Sequence, residues 1–197
     1  MTIPAPRRVA FTGFARAGKD CAAIPLIQAS FVRRCFGDII KKQVDSLVKD
    51  NLGFSAYTEV DTQKNLIRPL LETWGDVNYS GVMSEFFALL PDAVVNTRLC
   101  RVAEAREWKR QGGIIILVER EKNGETMPAT TAWEHDVVWA LRASGLIDIV
   151  LVNDGTIEQL HATVRDLLLY HGWPNSSDPS NRPRTLWCSG ALHSVHG

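Results

Sequence analysis

The chain has 197 residues, 45% of them apolar and 22% charged, which suits one soluble globular domain with a full hydrophobic core. Lys plus Arg and Asp plus Glu balance at 22 each, so no global basic field draws in nucleic acid and any such binding needs a local patch. Cys21, Cys35, Cys100 and Cys188 fall at no metal-ligand spacing, the opening segment Met1–Arg8 lacks the apolar core of a signal peptide, and no apolar run is long enough to span a bilayer; reduced thiols and a cytoplasmic location are the expectation.

Val9-Ala10-Phe11-Thr12 reads as a short apolar strand ending at Gly13. A helix follows from Lys19, and Pro25 is expected to end or kink it early. Phe31 to Phe36 reads as a second short strand, and Ile39 to Leu52 as a helix with Ile40, Val44, Leu47 and Val48 on one stripe. Asp61 to Trp74 is helical with Gly75 closing it, and Ser84 to Leu90 is helical up to Pro91. Ala93 to Thr97 is a strand, Val102 to Arg110 an amphipathic helix, and Ile114 to Val118 a continuous branched run of the kind found in a buried strand. Glu119 to Thr130 reads as a polar loop, Ala132 to Ala143 as a helix, Ile147 to Val152 as a strand and Thr156 to Tyr170 as a last helix capped near Thr156. Apolar strands separated by helices point to an α/β fold, a parallel sheet covered on both faces. Residues 1–173 form this domain; residues 174–197, rich in Ser, Asn, Pro and Arg at their start, read as a polar tail.

The segment Gly13-Phe14-Ala15-Arg16-Ala17-Gly18-Lys19-Asp20 matches G-x-x-x-x-G-K followed by Asp, set between a strand and a helix. Glycines let the backbone curl so that its N–H groups point at phosphate oxygens, Lys19 adds a mobile positive charge, and the helix that follows contributes its positive end. Asp20, followed by Cys21, stands where Ser or Thr usually offers a hydroxyl to Mg²⁺. A carboxylate is a strong Mg²⁺ ligand, so Asp20 is read as a metal or metal-water contact, with a helix cap as the alternative. The glycine spacing is wrong for a Rossmann dinucleotide fingerprint.

Further segments fall in a recognisable order: Phe36-Gly37-Asp38-Ile39-Ile40-Lys41, Arg68 to Gly75, Val94 to Glu104, Gly112 to Arg120, and Ile149 to Leu160. Together with Phe11 to Asp20, including the basic Arg16 before the second glycine, they resemble phage deoxynucleoside monophosphate kinases and the wider group of nucleotide kinases with a Gly-Lys-Asp phosphate loop. The likeness runs from about residue 8 to 172. It implies a three-layer P-loop fold with a parallel sheet of about five strands, ATP and Mg²⁺ as cofactors, and transfer of the γ-phosphate to a deoxynucleotide. Residues 13–21 would bind the nucleotide. Lys19, Arg16, Arg98 and Arg120 would stabilise the transferring group, and Asp38, Lys41, Arg68, Thr97 and Arg98 would meet the acceptor. Asp38 has the alternative of capping the helix that begins at Ile39, and Arg68 and Lys41 that of lying on solvated faces. Glu104 is expected to be structural. Glu134 is read as a carboxylate favoured at a helix start, Asn153 as an adenine contact or a plain turn, and Phe86, Phe87, Trp108 and Trp139 as core.

Two departures fall on the acceptor side. The acidic residue that the family places two before the strand-end arginine is here Asn96, in Asn96-Thr97-Arg98, and Asp76-Val77-Asn78-Tyr79 lacks an arginine found in relatives. They admit a second acceptor, the hydroxymethyl group of 5-hydroxymethyluracil within phage DNA, with Asp38 as base and the target base flipped out. A nucleotide-binding switch without a small-molecule acceptor is a third reading. No membrane partner is expected, a homodimer is compatible with the sequence, and a phage-encoded enzyme would work in the host cytoplasm.

Overall fold

The computed structural model describes residues 7–88, 90–122, 125–126, 131–170, 187–188 and 190–193. Two compact units arise from the chain, residues 1–33 with 91–197 and residues 34–90.

The first unit is built on a sheet. Strand β1 (Arg8–Thr12) lies at its centre, and the strand order is β2 (Val32–Arg34), β3 (Val94–Asn96), β1, β4 (Ile114–Glu119), β7 (Ile149–Val152). β3 and β4 both run parallel to β1, with Ala10 opposite Asn96 and Thr12 opposite Leu117, and β7 runs parallel to β4. The chain leaves β1 towards β2 on one side and later enters β4 on the other. The carboxyl end of β1 is therefore the switch point at which open α/β sheets leave a crevice for ligands. The backbone of β9 (Gly190–His193) adds antiparallel to β7, and β8 (Trp187–Cys188) pairs with β9. The rest of the polar tail lies outside the described residues, as does half of the 119–130 loop. Within that loop β5 (Glu121–Lys122) and β6 (Glu125–Thr126) form a two-stranded pair where only loop was expected.

Alternation along the buried strands gives the sheet two apolar faces. Phe11, Val95, Ile116, Val118 and Leu151 pack with Ala22 and Leu26 of α1 (Lys19–Gln28) and with Leu160, Val164 and Leu167 of α7 (Ile157–Tyr170). Leu117 and Val150, which point the other way, pack with Val138 of α6 (Ala132–Ala143). Helices thus cover both faces, the three-layer α/β architecture that the sequence predicts.

Pro25 does not end α1. The helix continues to Gln28 with Pro25 inside it. Proline removes the N–H that would have bonded the carbonyl one turn back, and His161 of α7 donates Nε2 to that Cys21 carbonyl at 3.0 Å instead. A tertiary bond replaces the lost helical one. Thr156 and Gln159 form a reciprocal cap at the start of α7, the Thr156 Oγ1 accepting from Gln159 N–H and the Gln159 Oε1 from Thr156 N–H.

The second unit holds α2 (Phe36–Leu52), α3 (Asp61–Val77) and α4 (Tyr79–Ala88). Val44, Val48, Ala56 and Ile67 form its core, and Phe36 stacks on Phe86 with ring centroids 3.8 Å apart. α4 starts more than a turn before the expected Ser84, because Val82 and Phe86 share its buried face and the Asn78 carbonyl accepts from Val82 N–H. Gly75 lies inside α3 rather than after it; a Cβ there would come within 2.8 Å of Ile40 Cδ1, so the glycine serves close packing of α3 on α2. α2 likewise begins at Phe36, with Cys35 as its N-cap, rather than at Ile39. Among the described residues no helix is long and apolar enough to cross a membrane.

Candidate phosphate-binding site

The loop from Gly13 to Gly18 joins the end of β1 to α1, at the switch point of the sheet. Its shape depends on positive φ at three positions: Gly13 at 129°, Arg16 at 64° and Gly18 at 104°. Gly13 has no room for a side chain, since a Cβ would run into the Val118 carbonyl of β4. A Cβ on Gly18 would lie 2.6 Å from Asn153 Nδ2. Gly18 is the N-cap of α1, so the helix starts at Lys19 with its positive end turned to the loop.

Lys19 folds back over this loop. Its Nζ donates to the carbonyls of Gly13 at 2.7 Å and Phe14 at 2.6 Å. Burial lowers the Lys19 pKa; the nearby Cys100, Glu134 and Asp20 oppose that shift and Arg98 reinforces it. An ammonium kept partly desolvated gains from meeting an anion, and a phosphate oxygen supplies one.

Asp20 lies in the first turn of α1 with its side chain 76% exposed, 3.7 Å from Arg33 Nη2. It is not the helix cap, a position that Gly18 holds. Among the described residues no three His, Cys, Asp or Glu side chains gather into a metal-binding group. Arg120 reaches the loop, donating Nη1 to the Arg16 carbonyl at 3.3 Å. Thr97 is buried just past β3, and Arg98 beside it is exposed. Asp20 and Arg98 lie close enough to Lys19 for their charges to act on it, and Arg120 reaches the same loop.

Asn96 is fully buried at the end of β3. Its Oδ1 accepts from Arg98 N–H at 2.9 Å, which fixes the amide's orientation, and its Nδ2 is a buried donor with no hydrogen-bond partner among the described residues. Glu104, at the start of α5 (Val102–Arg110), is structural as expected: its carboxylate accepts from the N–H groups of Cys100 at 2.8 Å and Arg101 at 3.0 Å. Burial raises its pKa, against those two N–H groups.

Asp38, Lys41 and Arg68 belong to the second unit. Asp38 is the third residue of α2, whose N-cap position is held by Cys35; the Asp38 carbonyl accepts from Tyr57 Oη at 3.1 Å. Lys41 Nζ lies 5.6 Å from the centre of the Tyr57 ring, and Arg68 is exposed midway along α3. Trp139 is 49% exposed and faces the Arg142 guanidinium, not the core. Phe86 and Trp108 are core residues as expected.

Two residues contribute more than the sequence suggests. Asn153 donates Nδ2 to the Ala17 carbonyl at 2.8 Å, so the turn after β7 braces the loop from outside. Glu134, near the start of α6, accepts through Oε1 from the N–H of Ala15. No local pattern signals either bond, because the partners lie 136 and 119 residues apart.

No protein-family model matches the sequence, and no curated protein does. The fold is similar to that of several solved structures. Dephospho-CoA kinase from Campylobacter jejuni aligns over 84% of this chain and 97% of its own, at 10% identity and a TM-score of 0.47. Shikimate kinase from Aquifex aeolicus aligns over 82% and 94%, at 17% identity and a TM-score of 0.45. A gluconokinase from Sinorhizobium meliloti aligns over 84% and 95%, at 10% identity and a TM-score of 0.42.

Proposed function

We propose that the chain is an ATP-dependent phosphotransferase whose acceptor is a deoxynucleotide. The observation that carries this reading is the loop itself. Two glycines in conformations closed to other residues, a lysine folded onto the loop carbonyls and the amino end of α1 converge at the switch point of a parallel sheet. Such an assembly offers backbone N–H groups and one cation to a chain of phosphates. Transfer from ATP then needs positioning and charge stabilisation more than covalent chemistry. Lys19 would hold the β- and γ-phosphates, and Arg98 and Arg120 would face the transferred group.

Mg²⁺ fits this site. It takes one or two carboxylates together with substrate phosphates and water, and the exposed Asp20 carboxylate beside the helix start is such a ligand. When bound, the ion neutralises charge on the phosphates. Asp38, Lys41, Arg68 and Thr97 are the acceptor-side candidates, and that assignment rests on the family resemblance.

Asn96 favours a second acceptor. Where the related kinases carry a carboxylate, this strand end carries a neutral amide whose oxygen is occupied by Arg98 N–H. Loss of that charge accords with an uncharged alcohol as acceptor, the hydroxymethyl group of 5-hydroxymethyluracil in DNA. The test is to offer ATP labelled at the γ-phosphate together with free deoxynucleotides or with 5-hydroxymethyluracil DNA. Label in a free deoxynucleotide supports the first reading, label only in DNA supports the second, and label in neither overturns both. Lys19→Ala should lower transfer by about 10²–10³-fold, the scale of losing one preorganised donor to a transition state.

A further inference from the structure

The phosphate loop already holds an anion of the protein's own. Resting on the reading of residues 13–20 as a nucleotide-phosphate cradle, we propose that the Glu134 carboxylate is an internal stand-in for phosphate, which ATP must displace from the Ala15 N–H in order to bind.

Backbone N–H groups are what a phosphate loop offers to its ligand. The N–H of Ala15 donates instead to Glu134 Oε1. The carboxylate arrives from a fixed support: Glu134 lies in the first turn of α6, its own N–H bonded to Thr131 Oγ1 at 3.1 Å. Val138 and Leu141 of the same helix are buried, and Arg142 holds Glu119 at 2.9 Å. α6 is therefore anchored, and any displacement would fall to the half-exposed Glu134 side chain. Glu134 also supports the charge of Lys19, the loop's cation, so it faces both kinds of group that a phosphate would use. A phosphate and a carboxylate cannot share one N–H; their like charges repel, and each needs the same donor. A nucleotide entering the loop therefore turns Glu134 out, and the apparent affinity falls by the fraction of molecules in which the carboxylate is seated.

The test is calorimetric titration of ATP into the full chain, with Mg²⁺ and again with EDTA, comparing wild type, Glu134→Gln, Glu134→Ala and Lys19→Ala. Neutral residue 134 should tighten ATP binding by about three- to tenfold in both buffers, the gain expected if roughly 70–90% of molecules seat the carboxylate. Two replacements at position 134 guard against one that fails to fold, which melting curves reveal. If wild type binds ATP and Lys19→Ala loses it, but both Glu134 variants bind as wild type or more weakly, the displacement idea is overturned while the cradle reading stands. Weakening confined to the Mg²⁺ buffer would place Glu134 on the metal side and overturn it equally. Absence of ATP binding in every variant overturns the cradle reading and the inference together.

Discussion

Asn153 Nδ2 donates to the Ala17 carbonyl at 2.8 Å, while the Asn153 N–H donates to the Glu119 carbonyl at 2.6 Å. One residue in the turn after β7 therefore ties the phosphate loop to the end of β4. Asn153→Ala removes this donor from the carbonyl of Ala17, a buried residue. The expected cost is about 1–3 kcal/mol by urea unfolding, with nucleotide affinity reduced several-fold because the loop loses its brace. Asn153→Asp should cost more, since it sets an acceptor against an acceptor. Wild-type affinity in the alanine variant would show that the loop keeps its shape unaided.

The two glycines of the loop should respond differently to a methyl group. Both have positive φ, so an alanine at either carries strain of about 1–3 kcal/mol. At Gly13 the new Cβ also meets the Val118 carbonyl, which is sheet backbone and cannot move away. At Gly18 it meets the Asn153 amide, a side chain that can turn. Gly13→Ala should therefore lower the melting temperature more than Gly18→Ala. Adding Asn153→Ala to Gly18→Ala should cost less than the two single changes summed, a coupling that a double-mutant cycle measures.

The loop and the sheet were legible because their signals are local. Branched runs mark β4 and β7, and the glycine spacing around Lys19 states the turn. Legibility failed where a distant partner overrides a local rule. Pro25 signals a helix end, yet α1 continues because His161 takes up the Cys21 carbonyl. Gly75 signals a stop, yet the helix runs on because the glycine makes room for Ile40. Trp139 sits at a helical position that suggests core, but the buried stripe of α6 passes through Val138 and Leu141, leaving Trp139 to Arg142. In the site, Lys19 and Asp20 could be read from the motif, whereas the bonds of Glu134 and Asn153 to the loop exist only after folding.

Asp45 gives the second unit an acid-sensitive contact. The hydrogen bond from Lys49 lowers its pKa from the ordinary 3.8 to about 2, with help from the Ser55 hydroxyl and the Ala56 N–H. Folding therefore favours the ionised form. The stability this contributes is complete above about pH 4 and is lost as pH falls through about 2. Asp45→Asn should lower the melting temperature at pH 7, and the gap to wild type should close as pH is taken from 4 to 2. A gap unchanged by pH would mean that the Asp45 charge does not stabilise the folded chain.

Pro25 and His161 allow the clearest separation of local from tertiary effects. In the wild type the Cys21 carbonyl has lost its helical donor to Pro25, so His161→Ala should leave it unpartnered at a cost of about 1–3 kcal/mol. Pro25→Ala restores an N–H one turn on. If that N–H bonds Cys21, the carbonyl no longer depends on His161, and His161→Ala becomes cheaper in the Pro25→Ala background. The four-protein cycle, read by urea unfolding, should give a coupling of about 1 kcal/mol or more between two residues whose side chains need not touch. A coupling near zero would mean that His161 stabilises α7 by packing alone and that the interior proline is tolerated for another reason. Because α1 carries Lys19 and Asp20 at its amino end, weakening the same bond should also reduce nucleotide affinity; an unchanged affinity in His161→Ala would confine the effect to the helix's far turns.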